Sequence, residues 1–232
     1  MKNVLTAVCA ALALCAVAAF MIINKTENYL LLSIILLVLS MLPFFASFEH
    51  SKPTARELAL ISSFIALAVV SRAAFYLIPQ VKPIAAVVII GAVCLGARSG
   101  YMIGAFSAFI SNFIFGQGAH TPFQMVALGL VGFVAGLIFK VIPQNKYTLS
   151  AVGFVLTFAL YGVVADTSTV MFVVSDFSLP AVLSVYAAGV TFSLVFAATT
   201  AVCLFIFGEP FIKKLERINI KYGLYKGEAY GK

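Results

Sequence analysis

The chain has 232 residues, of which 63% are hydrophobic and 10% charged, and its mean hydropathy is +1.11. Eight acidic and fifteen basic residues cannot clothe a soluble domain of this size, so the composition excludes a water-soluble globular protein and leaves an integral membrane protein. The formal charge of +7 does not point to nucleic acid, because the basic residues stand at the ends of apolar runs rather than in a patch interleaved with aromatics.

A hydrocarbon core of about 30 Å needs roughly 20 helical residues at about 1.5 Å each. Eight runs approach that length, at 4–23, 29–48, 56–77, 83–97, 99–115, 123–141, 148–170 and 181–207. The expected fold is therefore all-α, a polytopic membrane bundle of eight spans. The fourth and fifth runs are short and are separated only at Arg98 and Ser99. At the N-terminus, Ala16-Val17-Ala18 resembles a cleavage site, but the run continues through Ile23 without a polar region, so a retained helix is expected. A lipoprotein reading at Cys15 meets Leu14 where a small residue is required. Cys9, Cys15, Cys94 and Cys203 all fall inside apolar segments and read as small hydrophobes, not as disulfides or metal ligands.

With the N-terminus inside, Lys2, Lys52, Arg56, Arg98, Lys140, Lys146 and the basic residues after Glu209 are cytoplasmic, leaving only Lys25 and Lys82 outside. Both termini are then cytoplasmic in a protein of the cell membrane. Three polar or proline-marked loops share the outer mouth: Pro79 to Pro83, Ser111 to Met125, and Ser175 to Pro180.

Charge inside a span costs roughly 2.5 to 3.5 kcal/mol on insertion scales, so each ionisable group there needs a reason. Arg72 lies in the outer half of the third run and Asp166 near the outer end of the seventh, at similar expected depth. They read equally as a structural ion pair, with Arg72 otherwise free to snorkel, or as the polar floor of an outward-facing cavity. Small residues recur every four positions at Gly100, Gly104 and Ala108, and the same face then presents Asn112; Gly132 and Gly136 repeat the spacing in the next run. Such spacing lets helix backbones approach closely. Ser62 and Ala66 form a further pair of small residues in the third run.

No phosphate-binding Gly-x-x-x-x-Gly-Lys-Ser/Thr, no His-Glu-x-x-His and no Gly-x-Ser-x-Gly occurs, which speaks against nucleotide hydrolysis, metalloprotease or lipase chemistry on this chain. What remains at the outer mouth is a collection of amide, hydroxyl, imidazole and aromatic groups: Phe75, Tyr76, Gln117, His120, Thr121, Phe123, Gln124, Tyr161 and Tyr186. Apolar walls with a few converging polar groups are what a small-molecule pocket requires.

The runs Ala55-Arg-Glu-Leu-Ala-Leu-Ile61, Ser71-Arg-Ala-Ala-Phe75, Leu77-Ile-Pro-Gln-Val-Lys-Pro83 and Ser111 to Met125 resemble the substrate-binding S component of energy-coupling factor (ECF) vitamin transporters. The resemblance covers residues 54–207, a six-helix core, and is nearest to the cobalamin and corrinoid branch. It places residues 1–53 outside the core as two additional membrane helices and 208–232 as a basic cytoplasmic tail. It implies capture of a vitamin at the outer face, no cofactor, and docking on a transmembrane coupling protein that carries two ATPase subunits. Substrate contacts would come from Arg72, Phe75, Tyr76, Asn112, Gln117, His120, Thr121, Phe123, Gln124, Tyr161, Asp166 and Tyr186. Ser62 and Ala66 match the Ala-x-x-x-Ala pair that family members use to contact the coupling protein, with serine in place of the first alanine.

One departure concerns the substrate. Where the corrinoid branch leads one to expect Gly-Gln-Gly-Pro-Trp-Thr-Pro-Trp-Gln, this chain has Gly116-Gln-Gly-Ala-His-Thr-Pro-Phe-Gln124, without either tryptophan. The resemblance also allows a different vitamin in the same role. An ion-coupled secondary carrier, with Arg72 and Asp166 handling a proton, is the alternative from another class, although no inverted repeat stands out. A membrane scaffold with a lipid-binding basic tail is the third.

Overall fold

A computed structural model describes residues 29–50, 52–174 and 178–224, and the expected first span at 4–23 lies outside them. The described residues form helices joined by short loops, with no strand among them. In chain order the helices are α1 (Tyr29–Glu49), α2 (Ala55–Ala74), α3 (Ile84–Leu95), α4 (Ala97–Phe115), α5 (Thr121–Ile138), α6 (Lys146–Val155), α7 (Gly162–Val173), α8 (Leu179–Cys203) and α9 (Glu209–Tyr222). A π-helical turn at Leu156–Tyr161 joins α6 to α7, and another at Leu204–Gly208 joins α8 to α9, so each pair forms one continuous rod.

The helix ends follow from local chemistry. Thr54 caps α2 by accepting from the Glu57 amide at 3.3 Å while the Glu57 carboxylate accepts from the Thr54 amide at 2.8 Å, a reciprocal box. Asn145 and Thr148 do the same for α6. Proline stands in the first turn of α5 and α8, where its missing N–H has no helical partner to lose. Gly96, at φ +89°, ends α3 and lets α4 begin one residue later. The break between the fourth and fifth runs therefore falls at Gly96 rather than at Arg98 and Ser99, because only glycine takes that backbone angle without strain.

Among the described residues, four helical stretches are long and apolar enough to cross a membrane: Ala55–Ala74, Thr121–Ile138, Lys146–Phe172 and Leu179–Tyr222. The α3 helix has 12 residues, about 18 Å, and falls short of a full crossing. The last rod continues helically through residue 208, where the tail was expected to start, and ends only at the left-handed Gly223. Its amphipathic end runs antiparallel beside α2. Phe211 meets Phe64 with ring centroids 6.1 Å apart, and Arg56 Nη1 donates to the Tyr222 carbonyl at 3.0 Å.

Two constraints organise the core. The α4 and α5 backbones touch: a Cβ on Gly104 would lie 2.2 Å from the Leu128 carbonyl oxygen, and one on Gly132 would lie 2.2 Å from that of Gly100. On the α4–α5 pair α1 adds an aromatic layer, with Phe44 stacked on Tyr101 at 3.9 Å and edge-on to Phe133 at 5.0 Å. Because the obstacle at Gly104 is main chain, Gly104→Ala is expected to lower stability by about 1–3 kcal/mol. A fall in the thermal unfolding midpoint of the detergent-purified protein, measured against wild type, checks this.

Candidate functional site

At the end of the bundle remote from Arg56 and α9, a cavity of about 450 Å³ opens between the two halves of the fold. One wall is built from the last turn of α2 (Arg72), the following loop (Gln80, Lys82), the start of α3 (Ile84) and the start of α5 (His120, Gln124, Leu128). The facing wall comes from Tyr161, at the end of the π turn, from Ala165, Asp166, Ser168, Thr169 and Phe172 of α7, and from Phe192, Ser193 and Phe196 of α8.

Arg72 is only 8% exposed, and a guanidinium at that depth needs oxygen acceptors. Its Nη1 donates to Asn112 Oδ1 at 2.9 Å and to Ser111 Oγ, and its carbon lies 4.2 Å from the centre of the Phe115 ring. Asn112, itself 1% exposed, uses its amide protons on Thr121 Oγ1 at 3.1 Å and Gln124 Oε1 at 3.0 Å. Thr121 in turn donates to Gln117 Oε1 at 2.9 Å and accepts from the Gly118 amide at 3.2 Å, while Gln117 Nε2 donates to the Phe109 carbonyl at 2.9 Å. The polar cluster between α4 and α5 is thus one directed network that begins at the cation and ends on the backbone.

Asp166 lines the same cavity but makes no salt bridge with Arg72. Its carboxylate packs on α8, where a Cβ added to Gly189 would come within 2.3 Å of Oδ2. The ion-pair reading is corrected accordingly: the Asp166 carboxylate sits against Gly189 of α8 and forms no salt bridge with the arginine. Lys82 is half-buried in the loop between α2 and α3. Burial lowers its pKa and the positive charge of Arg72 lowers it further. The loop carries one further mark of constraint, since Gln80 sits at φ +59°, a left-handed angle unusual for a side chain with a Cβ.

The other expected contacts divide. His120, Gln124 and Tyr161 line the cavity, the last with its ring edge-on to Phe196 at 4.8 Å. Asn112, Gln117 and Thr121 support it from behind. Phe123 is packed in the core, and Tyr186 shares a 2.8 Å hydrogen bond with Thr167 that ties α8 to α7. Phe75 faces a separate apolar groove of about 340 Å³ with Phe64, Leu67, Phe207 and Phe211, and Tyr76 is 61% exposed beside Phe115. Neither lines the cavity. Ser62 and Ala66 are both exposed on α2, the Ser62 hydroxyl bonded to the Leu58 carbonyl at 2.9 Å.

Gln80, Lys82, Ser168, Thr169, Phe192, Ser193 and Phe196 are lining residues that the sequence reading did not select. The proline-bracketed loop was a signal for the first two. Phe192 and Phe196 stand in a run of apolar residues with no contrast to mark them.

The model of the family described as ECF-type riboflavin transporter, S component, matches residues 52–217. The chain is thus a membrane-embedded S component of an ECF transporter, a transport component rather than an enzyme, and within that class it belongs to the ECF-type riboflavin transporter S component family. No curated protein and no solved structure matches the chain significantly.

Asn112→Ala removes one of the acceptors of the buried guanidinium together with the donors to Thr121 and Gln124. The expected loss of stability is about 1–3 kcal/mol, read from chemical denaturation of the purified protein. Asn112→Asp, which keeps the acceptor beside Arg72, is expected to lose less.

Proposed function

We propose that this protein is the capture subunit of an ATP-driven ECF-type importer and that it takes up a vitamin the size of a flavin, with riboflavin the first candidate. The observation that carries this reading is the cavity itself, whose charged, amide and aromatic groups converge on a space closed behind Arg72. Its volume of about 450 Å³ lies within the range of roughly 300–1,000 Å³ typical of small-molecule sites. A tricyclic ring suits that space, and Tyr161, Phe172, Phe192 and Phe196 offer it aromatic surface. An intact corrinoid, a macrocycle with peripheral amides and a nucleotide loop, is much larger than the cavity. The absence of the expected tryptophans in Gly116–Gln124 agrees with this choice, as does the riboflavin in the family's name.

Orientation follows the distribution of charge. Arg56, Arg98, Lys140, Lys146 and the basic residues of α9 gather at the end opposite the cavity, so positive-inside placement turns the cavity outward and leaves both termini in the cytoplasm. In this reading α2 to α5 and the two long rods are the six helices of the capture core, and two helices precede it, making eight. The exposed face of α2 that carries Ser62 and Ala66 meets the coupling protein, on which two ATPase subunits supply the energy. The ion-coupled alternative rested on Arg72 and Asp166 acting as a pair, and the absence of a salt bridge between them weakens its motive.

Riboflavin fluorescence gives a direct test. Titration of the detergent-purified chain is expected to show saturable quenching, and cyanocobalamin in excess is expected not to compete. Gln124→Ala should weaken binding about tenfold, the loss of one well-made hydrogen bond of about 1.4 kcal/mol. Gly189→Ala, which pushes the Asp166 carboxylate off α8, should weaken it as well while leaving the helical circular dichroism unchanged. Fluorescence that does not saturate would end the riboflavin reading.

A further inference from the structure

From the charges on the cavity we infer that the ligand form held most tightly carries a negative charge, a carboxylate or phosphate, at the Arg72–Lys82 end. The inference rests on the capture reading above and adds to it the charge of the substrate, which the neutral isoalloxazine ring of riboflavin does not supply.

Arg72 and Lys82 both line the cavity, and Asp166 is the one acidic residue among its described lining residues. The carboxylate does not neutralise them, since it packs against Gly189 on α8 and forms no salt bridge with Arg72 or Lys82. Arg72 is well bonded but not neutralised: Asn112 Oδ1 and Ser111 Oγ are uncharged acceptors. They hold the group in place and leave its full charge on the wall. Lys82 is carried on a short loop between Pro79 and Pro83 and cannot be read as a free surface lysine, because it is partly buried and within electrostatic reach of Arg72.

Like charges held together in a partly dry space repel, and the repulsion grows as solvent is displaced. A neutral ligand that fills the cavity expels water from both cations and returns nothing to them. A ligand whose anionic group lies between Arg72 and Lys82 relieves the repulsion and forms charge-assisted hydrogen bonds with each. Two helix starts add to the same field, because Ile84 at the start of α3 and His120 and Gln124 at the start of α5 border the cavity. Selection by charge is therefore built into the wall nearest the loop, while the aromatic residues of α7 and α8 are left to hold a ring.

Matched pairs that differ only in charge test the inference: riboflavin against flavin mononucleotide, and nicotinamide against nicotinate. Dissociation constants are measured by calorimetry on the full chain at low salt, for wild type and for Lys82→Gln. The charged member of at least one pair is expected to bind about tenfold tighter or better, with the preference falling to about twofold in Lys82→Gln and shrinking as salt is raised. Equal binding within both pairs, or a preference that Lys82→Gln leaves intact, overturns the inference. Riboflavin bound as tightly as its phosphate ester, with no preference for nicotinate either, would sink the charge selection and keep the capture reading. Preference for nicotinate with neither flavin bound would keep the charge selection and remove the flavin. Binding of none of the four would overturn both.

Discussion

A guanidinium inside a membrane bundle must receive its acceptors from the protein, because lipid provides none. Arg72 meets that requirement through Asn112 and Ser111 of α4, and most of the surrounding architecture can be traced to keeping them there. Asn112 is oriented by Thr121 and Gln124, both on the first turn of α5. The same two helices make backbone contact further along, at Gly104 and Gly132, so the glycine spacing and the polar break both serve the α4–α5 pairing.

The same constraint explains why the break between α4 and α5 is polar while its helices are not. Gly116 at φ +102° ends α4, and the chain must turn back within a few residues to place Thr121 at the head of α5. The Gly118 amide exposed by that turn donates to Thr121, and Gln117 ties the turn back to α4 through the Phe109 carbonyl. An apolar turn would leave the Gly118 amide without an acceptor and Asn112 without the Thr121 hydroxyl that orients it. Asn112, Gln117 and Thr121 thus act behind the cavity surface, and only His120 and Gln124 of this segment lie on it.

Much of this was legible in the sequence because polarity is conspicuous against an apolar background. Arg72, Asp166, Gln124 and Tyr161 stand out in the sequence, and the four-residue glycine spacing there already announces close packing. The boundary at Gly96 was harder, since its left-handed angle ends a helix within a run whose hydropathy hardly changes. Phe192 and Phe196 were hidden for the opposite reason: in a long apolar helix, the aromatic residues that face a cavity look like those that face lipid. Phe75 and Tyr76 lie off the cavity lining for a related reason. The helix ends at Ala74 and turns them outward, which residue type alone does not reveal. The seat of the Asp166 carboxylate is Gly189, a residue 23 positions from the acid and on another helix, so no local pattern records it.

The two walls of the cavity are held by different forces, and this difference sorts their residues by consequence. On the α4–α5 side, main chain rests on main chain and the polar groups are spent on one another, so the wall is fixed before any ligand arrives. On the α7–α8 side, the helices are joined by the Thr167–Tyr186 hydrogen bond and by the seating of the Asp166 carboxylate and the Ser193 hydroxyl against Gly189 and Gly162. A π-helical turn lies directly before that wall, where the α-helical bonding pattern is interrupted. Changes to the first wall act on folding because they break contacts that define the bundle. Changes to the second alter the shape and charge that a ligand meets while the bundle beneath stays intact. A capture protein needs both: an immovable seat for the buried cation, and an opposing surface whose side chains can be exchanged to suit the molecule it carries.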